Sequence, residues 1–383
     1  MSLRKRLRNL GHNLKDKASV IAASLSLKRH VSSVRIHVLH ATTHRLSAPP
    51  STSQIAAVLS AGKGSYLLSR TCIDTIMDRL HRTRSATVAL KCLFTLHNIV
   101  SERKGPLTLK DNLSHYPSNG GRNALNVSTF RDDTDVETME LSAWVRWYAN
   151  VLEHVLTVSR VLGYYLINSN DGTREVFSSV ELFREIRGLV DFVEQVSHAP
   201  ESLHLQKIEL VFNVVRLVCE DYGRVQREIL RRVEEGGNRV EDLDVGELRE
   251  FVRCMKRLEG CREKLVVLFV NRKRNDAFWD LIGKVKYKGV EVMEEMEGKW
   301  LMVVKKGMNE LAESTRFTNP FLEPGEFMYS GPTGWRVATC QPVPTVGWQF
   351  PTVFVYKVSF VCFSFFVLGS SFLFCDFFPP VCT

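Results

Sequence analysis

From residue 85 to about residue 313, apolar residues recur every three or four positions. Val88, Ala89, Cys92, Leu93, Leu96, Ile99 and Val100 share one face of a 3.6-residue period, and Ser85 is placed to cap the start. A longer stretch, about 137–165, repeats the pattern through Leu141, Val145, Tyr148, Leu152 and Leu156. The same spacing predicts helices over about 176–198, 203–235, 246–274 and 276–313. Glycine and proline fall between these stretches as punctuation: Pro49-Pro50, Gly62-Lys63-Gly64, Pro117, Gly120-Gly121, Pro200 and Gly236-Gly237. Strict alternation, the mark of a strand, is almost absent before residue 330. Long helices joined by short turns predict an all-α bundle or solenoid of stacked helix pairs, and no repeat of fixed period stands out.

The two ends differ from this body. Leu3, Leu7, Leu10 and Leu14 form one helical stripe, with Arg4, Lys5, Arg6, Arg8, Lys15 and Lys17 mostly off it. Such a basic amphipathic helix suits a membrane interface, with leucines inserted and cations at the phosphates. Two other readings stay open: leucines docked on the helical body, or an organelle presequence in which Asp16 is the single acid. Gly11 weakens the helix somewhat. After about Ser314 the chain is rich in Pro, Gly, Thr and aromatics without periodicity, which predicts a flexible, disordered tail over 316–383. Within its last segment, 352–383, Val358–Cys375 carries no charge and just reaches the length of a membrane span. Phe, Val, Ser and Cys dominate that run, and their pyrimidine-rich codons favour translated non-coding sequence over a tail anchor.

Composition refines the picture. With 44% apolar and 24% charged residues, the 383-residue chain has the balance of a soluble globular protein. The net charge of +9 is unevenly placed: residues 1–110 hold 19 Lys and Arg against 4 Asp and Glu, and the remainder is mildly acidic. A cationic first third suggests an anionic partner. The nine cysteines include no C-x-x-C pair, and those in the helical stretches read as buried reduced thiols. The first 30 residues lack the apolar core of a signal peptide, so the sequons at Asn112 and Asn126 carry no expected meaning. No dinucleotide, Walker A, serine-hydrolase or zinc-protease motif is present, and Gly62-Lys63-Gly64-Ser65 lacks the upstream glycine and strand of a phosphate loop. The reading is of a non-enzyme without cofactor. His37, His40 and His44 fall at i, i+3 and i+7, but nothing nearby completes a metal set.

Four blocks carry a family resemblance. His40-Ala41-Thr42-Thr43-His44, followed by Pro49-Pro50, is similar to the (K/R)-A-T-T-H…P signature of ANTH domains, the N-terminal modules of clathrin assembly proteins. Val88–His97 resembles the family's V-A-L-K-x-L-x-x-x-H helix, Asn126–Asp132 its N-L-S-x-F-x-D turn, and Leu141–Glu153 its S-x-W-V-R-x-Y helix. Weaker similarity runs to about residue 315, in the style of the plant branch. The resemblance implies a right-handed superhelical solenoid: a basic segment 1–24, an ENTH-like core 25–165 and a helical extension 166–315. It also implies a peripheral adaptor in clathrin-mediated endocytosis, on the cytoplasmic face of coated pits and vesicles, plasma membrane and Golgi. Its implied partners are clathrin, phosphatidylinositol 4,5-bisphosphate or other anionic lipids, and vesicle SNAREs.

The chain departs from the family at the lipid motif. Where the family has a cation before A-T-T-H and a Lys/Arg cluster after the proline, this chain has His40 and Pro50-Ser51-Thr52-Ser53. Headgroup binding there should be weaker, with Arg45, Lys28, Arg29 and His30 as partial compensation; His40 and His44 stay in the candidate lipid-binding set beside the N-terminal cations. Asn319-Pro320-Phe321 matches the tripeptide read by EH-domain proteins. His97 is expected to pack and hydrogen-bond within the solenoid, and Lys91 to be structural or at the surface. Two other readings stand beside the adaptor: a scaffold that has lost specific lipid binding, and a basic helical nucleic-acid binder. The second lacks the aromatic interleaving and the helix-turn-helix pattern, so no nucleic acid is expected.

Overall fold

The computed structural model describes residues 3–25, 29–46, 48–63, 65–102, 107–115, 125, 127–168, 178–269 and 275–314, with the strand backbones 326–331 and 334–339. Eleven helices occur among these residues: α1 (Leu3–Ser24), α2 (Arg29–Ala41), α3 (Thr52–Ala61), α4 (Tyr66–Arg82), α5 (Ala86–Ser101), α6 (Leu107–Ser114), α7 (Val136–Leu162), α8 (Ser179–Ser197), α9 (Glu209–Asn238), α10 (Val245–Leu268) and α11 (Asp276–Ser314). Residues 1–307 form one compact unit, and 308–383 are a second. Within the first, α2 packs on α1, α3 and α4, α5 joins α4 to α7, and α8 packs on α7, α9 and α10. This is the all-α solenoid that the periodicity predicts.

The helix with the clearest predicted stripe has no solvent face over most of its length. Every residue of α5 from Ala86 to His97 is buried, including Thr87, Lys91, Thr95 and His97, because α2, α3, α4, α6, α7 and α9 all contact it. His97 is held on both sides. Its Nε2 lies 2.7 Å from Asp221 Oδ2 on α9, and its Nδ1 lies 2.8 Å from the Tyr148 hydroxyl on α7. A neutral ring that donates Nε2–H to Asp221 leaves Nδ1 to accept from Tyr148. Burial first, then the Asp221 charge, raises the Tyr148 hydroxyl well above its ordinary pKa and keeps that donor protonated.

A second buried polar cluster ties the later helices. Arg232, 2% exposed, donates to Glu185 on α8 and to Glu228 one turn earlier on α9, at 2.7 and 2.5 Å. The Tyr164 hydroxyl donates to the same Glu228 at 2.7 Å. Burial alone would raise the Glu228 carboxyl, but Tyr164, Arg231 and Arg232 outweigh it and hold the group below its usual value.

Three local expectations are corrected. Ser85 occupies the N-cap of α5 but makes no side-chain cap bond; Asp132 accepts from Ala86 N–H at 2.9 Å instead. Gly236-Gly237 lies in the last turn of α9, which ends at Asn238, and not beyond the helix; a Cβ on Gly236 would stand 2.9 Å from Phe251 Cζ. The Phe251 ring, reaching from α10 to this turn of α9, is the reason for glycine there. The tail after 314 is not wholly irregular, since Glu326–Gly331 (β1) and Gly334–Thr339 (β2) form an antiparallel pair, with Phe327 opposite Ala338 and Tyr329 opposite Arg336. Aromatic and β-branched residues between flanking glycines favour that pairing locally. The apolar run 352–383 lies outside the described residues. Cys72, Cys92, Cys254 and Cys261 are buried free thiols, as expected, and Cys219 is partly buried.

Candidate functional site

Helix α1 presents two chemically different sides. Leu10, Leu14, Ile21 and Leu25 share one face at 100° per residue and are 59%, 68%, 60% and 79% exposed. Lys15 and Lys17 are exposed on the same helix. The opposite side carries His12, Asp16, Val20 and Ala23, all partly buried. The helix therefore docks on the body by its polar side and leaves Leu10 and Leu14 in solvent, which removes the reading in which those two leucines pack inward. The side chains of Leu3, Arg4, Lys5, Arg6, Leu7 and Arg8 lie outside the described residues, although their backbone belongs to α1.

Docking centres on Asp16. Its Oδ2 accepts from the His44 backbone N–H at 3.0 Å, and its Oδ1 lies 2.7 Å from His44 Nδ1. Arg79 on α4 places Nη2 3.5 Å from the same Oδ1, and donates from Nε and Nη2 to Thr42 O at 3.2 and 2.8 Å. The His12 ring stacks on His44 with centroids 4.9 Å apart. Further along, Ser32 Oγ donates to Ala23 O at 2.7 Å. Burial by itself would raise the Asp16 carboxyl, but the His44 hydrogen bonds, with His44 and Arg79 charge, hold it below its ordinary value. His44 is thus committed to an internal contact.

Beneath the A-T-T-H loop lies Lys91, a group that the sequence pattern did not single out as buried. Its Nζ donates to Thr43 Oγ1 at 3.0 Å and to Arg45 O at 2.7 Å, and the residue is 1% exposed. Burial is the main cause that lowers its ammonium to about 8, and Asp16 opposes the shift. Thr42 Oγ1 turns back to Val38 O at 2.7 Å. The loop is held from within.

The positions that replace the family's cations serve a helix start. Ser51 caps α3, accepting from Gln54 N–H at 3.2 Å, while Gln54 Oε1 accepts from Ser51 N–H at 2.9 Å. Gln54 Nε2 reaches His40 O at 3.0 Å. Ser51, Thr52 and Ser53 are exposed, so this surface is hydroxyl-rich and uncharged. Arg29, His30, His40 and Arg45 are exposed as well, but they do not converge. Arg29 starts α2 and His40 lies near its end, about 16 Å away at the helical rise of 1.5 Å per residue. Lys28 and the tripeptide Asn319-Pro320-Phe321 lie outside the described residues.

Beside His44 opens a groove of about 640 Å³, walled by α1 and α4 on one side and by the start of α7 on the other. Lys15, Asp78, Arg79, Arg82 and Arg84 line the first wall, and Asp132, Asp135 and Glu137 the second. Among the described residues, no group of three or more His, Cys, Asp or Glu is arranged to hold a metal, and no helix is long and apolar enough to cross a membrane.

A family profile described as the ANTH domain matches residues 33–221. The Arabidopsis thaliana protein named "Putative clathrin assembly protein At4g40080" is 40% identical over 288 residues, covering 71% of this chain and 78% of the relative. The chain belongs to the ANTH-domain clathrin assembly protein family. Two further Arabidopsis proteins of the same designation, At5g10410 and At5g65370, are 30% and 28% identical, covering 71% and 73% of this chain and 82% and 99% of their own lengths. In this ANTH protein the profile begins inside α2 and ends at Asp221, the α9 partner of His97. Helix α1 precedes it and α10 and α11 follow it.

Proposed function

We propose that the protein is a peripheral membrane adaptor that meets anionic membrane with α1 and promotes clathrin coat assembly at endocytic pits and vesicles. One observation supports the membrane half above all: α1 is fixed to the body by Asp16 while Leu10, Leu14, Ile21 and Leu25 face solvent beside lysines. That arrangement suits an interfacial helix, with apolar side chains below the phosphates and cations among them. The clathrin half rests on the relatives' names. The role requires no bond-making, and its expected places are the cytoplasmic faces of the plasma membrane and the Golgi.

The neutral Ser51–Gln54 cap favours binding governed by bilayer charge and insertion over headgroup recognition at that loop. EH-domain proteins at Asn319-Pro320-Phe321 and vesicle SNAREs on the later helices belong to the same proposal, as do the functional segments 1–24, 25–165 and 166–315.

Sedimentation of the full chain with vesicles tests the reading. Binding should be absent on phosphatidylcholine and strong with phosphatidylserine, with little gain from phosphatidylinositol 4,5-bisphosphate at equal charge. Excess DNA should not compete. A chain that ignores every acidic vesicle overturns the membrane half, and displacement by DNA would favour a nucleic-acid role.

A further inference from the structure

Helix α11 outruns the body that supports it. Ile282, Val285 and Gly289 are buried, with Val285 against Gly237 of α9 and Gly289 against Val252 of α10. Val292, Met293 and Met296 are partly buried, and Arg249 of α10 meets Glu297 at 3.6 Å. One turn later Leu301, Met302 and Val303 are 54%, 74% and 68% exposed. At about 100° per residue these three span more than half of the helix circumference, and a helix apolar on so many sides is normally enclosed. The charges beside them are sorted along the chain: Glu291, Glu294, Glu295 and Glu297 come first, then Lys299, Lys305 and Lys306. Lys299 lies 3.8 Å from Glu295, both largely exposed, a pair of little strength. A Cβ on Gly298 would meet no atom of the described residues within 4 Å, so no internal contact calls for a glycine that weakens the helix.

We infer that this stretch of α11 is a self-association surface, which takes the same stretch of a second copy of the chain in antiparallel orientation, about a two-fold axis beside position 300. Glu294, Glu295, Gly298, Met302, Lys305 and Lys306 fall within about 120° of one another, on the side away from Ile282, Gly289 and Met293. The antiparallel register sets Lys305 and Lys306 of one copy opposite Glu295 and Glu294 of the other. It also sets Met302 opposite Gly298, where the absent side chain leaves room for the thioether. The two-fold axis makes each of these contacts twice. A parallel pair would instead stack glutamate on glutamate and lysine on lysine, so the charge order selects both the partner and its direction. The surface lies on α11, and the inference stands independently of the membrane reading.

Sedimentation velocity of the full chain over a concentration series tests the inference, and should show a monomer–dimer equilibrium. Met302→Asp should leave only monomer, with thermal unfolding unchanged because the side chain is exposed in the single copy. Lys305→Glu with Lys306→Glu, and separately Glu294→Lys with Glu295→Lys, should each weaken self-association about tenfold or more. Mixing those two variants should restore a mixed dimer, and all four changes in one chain should restore the homodimer. That rescue keeps the test decisive even if one variant folds poorly. A chain that stays monomeric at every concentration overturns the inference. So does a dimer that ignores Met302→Asp, or one that the charge exchange fails to rescue, because its interface then lies elsewhere. If Met302→Asp lowers vesicle binding of a chain that is always monomeric, the apolar turn belongs to a bilayer and the self-association reading falls. If the dimer forms and responds as stated while no acidic vesicle is bound, the dimer stands and the adaptor reading fails.

Discussion

Replacing Leu10 and Leu14 together with glutamine tests the membrane reading at its physical root. Glutamine is a good helix former of similar length, so α1 should persist while its apolar stripe is interrupted. A fully buried leucine contributes about 1.5–3 kcal/mol through removal of apolar surface from water. With 59% and 68% of these two residues open to solvent, transfer of both into the interface is worth about 2–4 kcal/mol in total. At tenfold per 1.4 kcal/mol, vesicle affinity should fall by about 30-fold or more. The folded protein should hardly notice, because substitutions at exposed sites usually shift stability by less than about 0.5 kcal/mol each. Vesicle sedimentation gives the first quantity and thermal unfolding the second. An affinity loss under about threefold would refute the insertion argument. So would a large fall in Tm, because it would mean that the leucines pack against protein.

Two further predictions concern the interior. Lys91 titrates near 10.5 when unfolded and at about 8 when folded, so below pH 8 the folded state carries the full cost of a buried ammonium, about 3 kcal/mol. Between about pH 8 and 10.5 the unfolded chain keeps that proton and the folded chain releases it. Denaturant titrations should therefore show a rise in stability across this window, relative to Lys91→Met, and parallel pH profiles would contradict the assignment. Arg232→Ala strands Glu185 and Glu228 in the interior and should cost about 3–5 kcal/mol, whereas Arg232→Met with both glutamates changed to glutamine should recover most of it.

What the sequence revealed follows from which interactions are local. Helical spacing and N-caps are written within a few residues, so α7, α8, α10 and α11 lie close to the stretches drawn from periodicity alone. The errors arose where a distant partner decides the outcome. Asp132 caps a helix that begins 46 residues earlier in the chain, and Phe251 dictates glycine at 236. The A-T-T-H block was legible as a motif, but the bond from its histidine to Asp16 was not, because Asp16 lies 28 residues away in what read as a separate basic segment. The choice between a structural and a surface Lys91 stayed open for a related reason: it is decided by the loop that closes above it.

The bond between His97 and Asp221 has a practical consequence. It joins α5 to α9 across 124 residues of chain, and neither group has access to water that would replace the other. A fragment trimmed after residue 165 would retain the imidazole and lose its carboxylate, along with the wall of α9 that shields it. Anyone cutting this protein into a minimal folded piece should expect insoluble material from that boundary. The earliest safe place to stop is beyond the ninth helix.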